Sequence, residues 1–203
     1  MNKLIVSLLL TLGISGVAHA AGDAAAGQAK AAVCGACHGP DGNSMAPNFP
    51  KLAGQGERYL NKQLHDIKSG KRTVLEMTGL LTNLSDQDLA DISAYFASQK
   101  GSVGAADPKL VARGEALFRG GDLNKGLPAC TGCHSPDGKG NAAAGFPHLG
   151  GQHAQYVGKQ LTDFRKEEGG RTNDGDTKPM QGIAKKLSDE DIAAVSSYIQ
   201  GLH

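Results

Sequence analysis

The chain has 203 residues, with 21 Lys and Arg against 20 Asp and Glu. This balance excludes the basic excess that a nucleic-acid partner needs, and no run of like charge marks a solvated tail. Five Phe, four Tyr and no Trp are few large side chains from which to build a core.

Met1-Asn2-Lys3 is a short positive start, followed by an apolar run from Leu4 to Val17 and the small-x-small site Ala18-His19-Ala20. The run is shorter than the roughly 20 residues of a bilayer-spanning helix, so residues 1–20 are expected to be a cleaved secretory signal. Removing them leaves 183 residues and cancels the charge at 20 against 20.

A first helix is expected from about Asp23 into Cys34, followed by a Gly- and Pro-rich loop over 39–56 and a helix over Glu57–Ser69. Ser85, followed by Asp86, Gln87 and Asp88, has the composition of a helix N-cap and first turn. Leu89, Ile92 and Phe96 then recur at helical spacing and define one buried face. Gln99–Lys109 reads as a linker. The pattern then repeats: a helix from Leu110 into Cys130, a loop over 135–151, a helix near Ala154–Glu167, and a Ser188-capped helix with Ile192, Val195 and Ile199 on one face. No segment shows the period-2 alternation of a strand.

The repetition extends to residue identities. Cys34-Gly-Ala-Cys-His38 returns as Cys130-Thr-Gly-Cys-His134, and Phe49-Pro-Lys-Leu-Ala-Gly-Gln55 as Phe146-Pro-His-Leu-Gly-Gly-Gln152. Leu84-Ser-Asp returns as Leu187-Ser-Asp. The offset grows from 96 to 103 residues, as small loop insertions in a duplicated domain would produce. The expected organisation is 21–100, a linker at 101–109, and 110–203.

Cys-x-x-Cys-His is the attachment signature of haem c. Two thiols one helical turn apart can form thioethers with two vinyl groups on one porphyrin edge, and the adjacent imidazole then reaches the iron. Two disulfides, a thiol redox couple or a shared zinc would also use four cysteines. None of these explains a His after the second Cys in both copies. The expected cofactors are therefore two covalently bound haem c groups, held by Cys34, Cys37, Cys130 and Cys133, with His38 and His134 on the irons.

The second axial ligand separates an electron carrier from an enzyme, because an axial Met closes the iron and raises its potential. Met77 and Met180 each lie seven residues before a Leu-Ser-Asp helix start. Met45 has no counterpart and follows His38 closely, which leaves it as a minority alternative in the first copy. His65, His148 and His153 align with Thr162, Lys51 and Gly56, so no repeated His competes, and all three are expected on surfaces or loops. Pro50 and Pro147 are candidates to supply a carbonyl to the ring N–H of the axial His. Gln55/Gln152, Tyr59/Tyr156, Lys62/Lys159 and Arg72/Arg171 are candidates to meet haem propionates.

With these motifs in hand, the chain resembles the cytochrome c4 family, the dihaem members of the class I c-type cytochromes. The strings CGACHGPDGNS, FPKLAGQ and EMTGLLTNLSDQDL and their second-copy echoes carry the likeness. The resemblance implies an all-α fold of two tandem cytochrome c domains, each a few short helices around one haem. It implies His38 and Met77 on one iron and His134 and Met180 on the other, with the haem propionates of the two domains facing each other. It further implies a monomeric periplasmic carrier, loosely membrane-associated, passing electrons from a cytochrome bc complex to a terminal oxidase without acting as an enzyme. Two other readings remain: a dedicated electron-transfer subunit of a dehydrogenase or oxidase complex, and a dihaem peroxidase.

Overall fold

The computed structural model describes residues 22–203; the expected signal sequence lies outside them. The first copy comprises α1 (Ala24–Lys30), the single turn α2 (Gly35–His38), α3 (Glu57–Lys68) and α4 (Asp86–Ser98). The second comprises α5 (Pro108–Gly120), the single turn α6 (Thr131–His134), α7 (Ala154–Arg165), α8 (Pro179–Ala184) and α9 (Asp189–Gly201). Among the described residues β-structure is limited to two isolated bridges, and no helix is long and apolar enough to cross a membrane.

The expected caps form in full. Ser85 and Ser188 each accept from the backbone N–H three residues on, while Asp88 and Asp191 bond back to the N-cap backbone. These reciprocal bonds satisfy orphan donors at both helix starts. The predicted apolar faces are buried: Leu89, Ile92 and Phe96 on α4, and Ile192, Val195 and Ile199 on α9.

The linker departs from expectation. Pro108 occupies the first turn of α5, and Asp107 caps it through Lys109 N–H. A proline preset near helical φ belongs at that position, so the helix begins two residues before Leu110. The remaining linker is tied to both domains: Ser102 N–H donates to Asn43 Oδ1 at 2.8 Å and Gly104 N–H to the Gln200 carbonyl at 3.0 Å.

In each copy the first helix crosses the last, α1 on α4 and α5 on α9, with a glycine at the crossing. A Cβ at Gly27 would meet the Asp91 carbonyl oxygen, and one at Gly114 the Ala194 carbonyl oxygen, in both cases inside contact distance. A cation from the first helix also reaches the last: Lys30 contacts Asp88 and Asp91 at 2.6 Å, and Arg113 contacts Asp191 at 2.6 Å.

The cores differ in size. The second copy clusters eleven buried side chains around Leu117, Phe118, Val195 and Ile199, whereas the first clusters four, Ala31, Leu60, Ile92 and Phe96.

Gly27→Ala and Gly114→Ala are each expected to destabilise their domain by about 1–3 kcal/mol through forced separation of the crossing helices, read by denaturant unfolding. The Asp91 carboxyl is held down to about 2 by the Asp23 N–H and by Lys30. Because its folded pKa is depressed, its stabilisation is present above the unfolded value of about 3.9 and is lost as pH falls toward 2. Asp91→Asn should flatten the acid limb of the α1–α4 unfolding profile, measured by circular dichroism between pH 5 and pH 2.

Candidate functional site

Each Cys-x-x-Cys-His motif folds as one helical turn, closed by His38 N–H to the Cys34 carbonyl and His134 N–H to the Cys130 carbonyl, both at 2.9 Å. Residues three apart share a helix face, so each cysteine pair presents its sulfurs on one side. Cys34 and Cys130 are half-buried, Cys37 and Cys133 exposed, and none forms a disulfide. Burial pushes the Cys34 thiol up, and that of Cys130 to about 11. Among the described residues no group of three or more His, Cys, Asp or Glu is placed to hold a metal ion.

Both motif histidines are buried. His38 Nδ1 lies 2.9 Å from the Pro50 carbonyl and His134 Nδ1 3.0 Å from the Pro147 carbonyl. A carbonyl only accepts, so each Nδ1 carries the proton and each Nε2 keeps its lone pair. Burial lowers both imidazole pKa values, with the Pro carbonyls acting in the opposite direction, and so favours the neutral, ligating form.

Half-buried apolar side chains border each core beside the motif. In the first copy these include Cys34, Leu52, Leu64 and Leu84; in the second, Cys130, Leu149, Met180 and Ile183. A cysteine, a ligating imidazole and an open apolar margin fit a flat apolar ring tethered through sulfur.

Met180 therefore borders the same core as Cys130. It sits in the first turn of α8, where Gln181 N–H donates to Asp174 Oδ2 at 2.8 Å, and burial raises the Asp174 carboxyl. Met77 ends a 3-10 turn, Leu75–Met77, and lines a cavity of about 260 Å³ with Ile67, Arg72, Val74 and Leu81. Met45 is 94% exposed. Its neighbour Ser44 donates to the Cys37 carbonyl at 3.1 Å, tying that loop to the Cys-His turn. Met45 thus faces solvent on the proximal side, and the alternative ligand is not supported.

The repeated polar residues converge where the domains meet. Arg72 donates to Tyr156 Oη at 3.0 Å and Gln160 Oε1 at 3.1 Å, while Arg171 donates to Tyr59 Oη at 3.2 Å and Gln63 Oε1 at 2.8 Å. Burial would push the Tyr59 phenol up, but Arg171 and Arg72 beside it pull it down. Two guanidinium groups facing phenols and amides leave positive charge that carboxylates such as propionates would neutralise. Lys62 and Lys159 instead pair with Asp66 and Asp163 one turn away. Gln55 and Gln152 bond to backbone across the interface: each exchanges two hydrogen bonds with a residue of the other domain, His148 and Lys51 respectively.

Two histidines expected on surfaces or loops belong to this interface as well. His148 Nδ1 lies 3.2 Å from the Gly54 carbonyl and His153 Nε2 2.8 Å from the Ser44 carbonyl, each in the opposite domain. Asn173, which the sequence did not single out, donates to Gln63 and Asp66 across the same boundary. It lies in the insertion unique to the second copy, where internal symmetry provides no signal. Gln63 and Gln160 do repeat, and that repetition marks them.

Two all-helical units, each carrying a thiol pair and a proton-fixed imidazole beside an apolar margin, define a tandem c-type cytochrome. A model of the cytochrome c family matches residues 24–100 and again 111–203. Cytochrome c4 of Pseudomonas aeruginosa is 83% identical over 203 residues, covering all of both chains. A thiosulfate dehydrogenase electron acceptor of Stutzerimonas stutzeri is 37% identical over 176 residues, covering 83% of this chain and 78% of that protein. The crystal structure of reduced recombinant cytochrome c4 from Pseudomonas stutzeri superposes with a TM-score of 0.87 at 71% identity, covering 90% of this chain and 100% of that one. The chain belongs to the cytochrome c family, and within it to the cytochrome c4 group of dihaem electron carriers, with a haem c bound at each Cys-x-x-Cys-His motif.

The small first-copy core makes that domain the more dependent on its haem. Cys34→Ala with Cys37→Ala should abolish its helical signal while the second domain keeps a cooperative thermal transition, read by circular dichroism and hydrogen exchange.

Proposed function

We propose that, once residues 1–20 are removed, the chain works in the periplasm as a shuttle between a cytochrome bc complex and a terminal oxidase. Cys34 and Cys37 hold haem one, with His38 and Met77 as its axial ligands. Cys130 and Cys133 hold haem two, with His134 and Met180. Each haem c supplies a one-electron ferric–ferrous couple when bound.

The protein's residues account for the rest. The Pro50 and Pro147 carbonyls hold each axial imidazole in one tautomer and one orientation, which increases its basicity toward iron. Ile67, Val74 and Leu81 line one cavity with Met77, and Leu149 and Ile183 border the same core as Met180, which gives each methionine apolar surroundings. Arg72 and Arg171 provide the positive charge that facing propionates need. The occurrence of the same His, Pro carbonyl and Met set in both copies carries this reading, since two closed sites suit electron transfer and leave no open position for substrate. A dihaem peroxidase would need an acid–base side chain at an open haem, and the other interior histidines, His148 and His153, are spent on cross-domain carbonyls. The chain is taken to act as a monomer with at most loose peripheral contact with the membrane.

A second reading rests on the relative that accepts electrons from thiosulfate dehydrogenase: the chain would serve one dehydrogenase or oxidase as its dedicated electron-transfer subunit. Purification with one catalytic partner at fixed stoichiometry would favour it over the shuttle.

Met77→His should lower one midpoint potential by on the order of 100 mV and leave the other nearly unchanged. Met180→His should do the same to the other. A redox titration with absorption spectra checks both variants. Unchanged midpoints, or ready carbon monoxide binding to the reduced wild-type protein, would overturn the ligand set.

A further inference from the structure

The interface glutamines and the axial histidines meet at a shared peptide group. The Pro50 carbonyl, which accepts from His38 Nδ1–H at 2.9 Å, belongs to the same peptide unit as the Lys51 N–H. That N–H donates to Gln152 Oε1 at 2.9 Å, from the other domain. The mirror arrangement joins His134 Nδ1–H to the Pro147 carbonyl at 3.0 Å, and the His148 N–H of that peptide to Gln55 Oε1 at 2.8 Å. Each glutamine also returns its amide, Gln152 Nε2 to the Lys51 carbonyl and Gln55 Nε2 to the His148 carbonyl, both at 2.9 Å. Both side chains are 7% exposed, so water does not replace these bonds. Each Oε1 is further fixed by the N–H of its own next residue, Gly56 or His153.

A peptide group is conjugated, and an acceptor on its N–H shifts electron density onto its carbonyl oxygen. That oxygen then binds the imidazole N–H more strongly and makes the ring a better donor to iron. A more electron-rich ligand favours the ferric state and lowers the potential.

We propose that Gln152 and Gln55 are crosswise positioning residues: each, through one peptide group of the opposite domain, strengthens the proximal hydrogen bond of the opposite haem and lowers that haem's potential. Gln152 thus acts on haem one and Gln55 on haem two. The relay rests on the axial ligation given above. It makes the docking of the two domains part of the setting of both potentials, so that separation of one domain from the other leaves both proximal bonds in place but removes the glutamine that strengthens each.

The test uses the full-length holoprotein. Met77→His first assigns the two midpoints; if it moves neither, the ligand reading fails before the relay is tested. Gln152→Leu is then expected to raise the midpoint of haem one by about 30 mV, a threefold change in a one-electron equilibrium at 59 mV per decade. Haem two, in the domain that carries Gln152, should stay in place. Gln55→Leu should raise haem two and spare haem one. Gln152→Asn and Gln55→Asn, which draw the amide back by one methylene and keep the interface polar, should shift the same haems in the same direction. A merely structural role has the opposite signature, because a loosened interface admits water, stabilises the ferric charge and lowers both midpoints. Lowered midpoints, shifts confined to the haem of the mutated domain, or no shift with both Met-ligated spectra intact would overturn the relay and leave the ligand set standing.

Discussion

The anchoring of a flat apolar ring to each Cys-x-x-Cys-His turn is the constraint on which the remaining structure depends. Nine aromatic side chains in the whole sequence and four buried side chains in the first core cluster are too little apolar material for a self-sufficient domain of that length. With the ring in place, the partly exposed margin of Leu52, Leu64 and Leu84, or of Leu149, Met180 and Ile183, becomes interior. The close crossings at Gly27 and Gly114 follow from the same economy. With few bulky residues to separate the helices, backbone packs directly on backbone.

Charge sets the second level of organisation. The charged side chains of residues 21–203 sum to zero, yet Arg72 and Arg171 lie at the domain boundary among phenols and amides. Asp66 and Asp174 act on these guanidinium groups from nearby, and haem propionates presented to the boundary would add to that negative charge. Cofactor binding and domain docking would then be one electrostatic event. A domain isolated from its partner would keep its ring and its thioethers but lose the guanidinium that reaches in from the other side.

Much of this is legible in the sequence because the duplication reads the chain twice. The Leu-Ser-Asp helix starts, the paired methionines and the Phe-Pro-x-Leu-x-Gly-Gln strings identify themselves by recurrence. The caps at Ser85 and Ser188 and the buried faces of α4 and α9 follow from local rules and form as expected. Recurrence does not reveal which domain a residue serves. Gln55 and Gln152 read as candidates to meet haem propionates, with no sign that each bonds to the backbone of the opposite domain. His148 and His153 read as isolated loop residues because their counterparts are Lys51 and Gly56, and the structure places them at the interface. The start of α5 at Pro108 is hidden because its proline belongs equally to a linker and to a first helical turn.

The two copies are alike in the residues proposed to hold each iron and unlike in what surrounds them. Met77 ends a 3-10 turn beside a cavity, whereas Met180 opens a short helix whose first turn Asp174 caps. Asp174 and Asn173 both come from the insertion that only the second copy carries, and Asn173 reaches back to Gln63 and Asp66 of the first domain. Asp174 places a carboxylate on the backbone beside Met180, and a charge so placed would make two chemically identical irons differ in potential. The asymmetry lies in the loop insertions around residues 169–178 and not in the motifs, so the motifs specify what each site binds while the departures from symmetry distinguish the two sites.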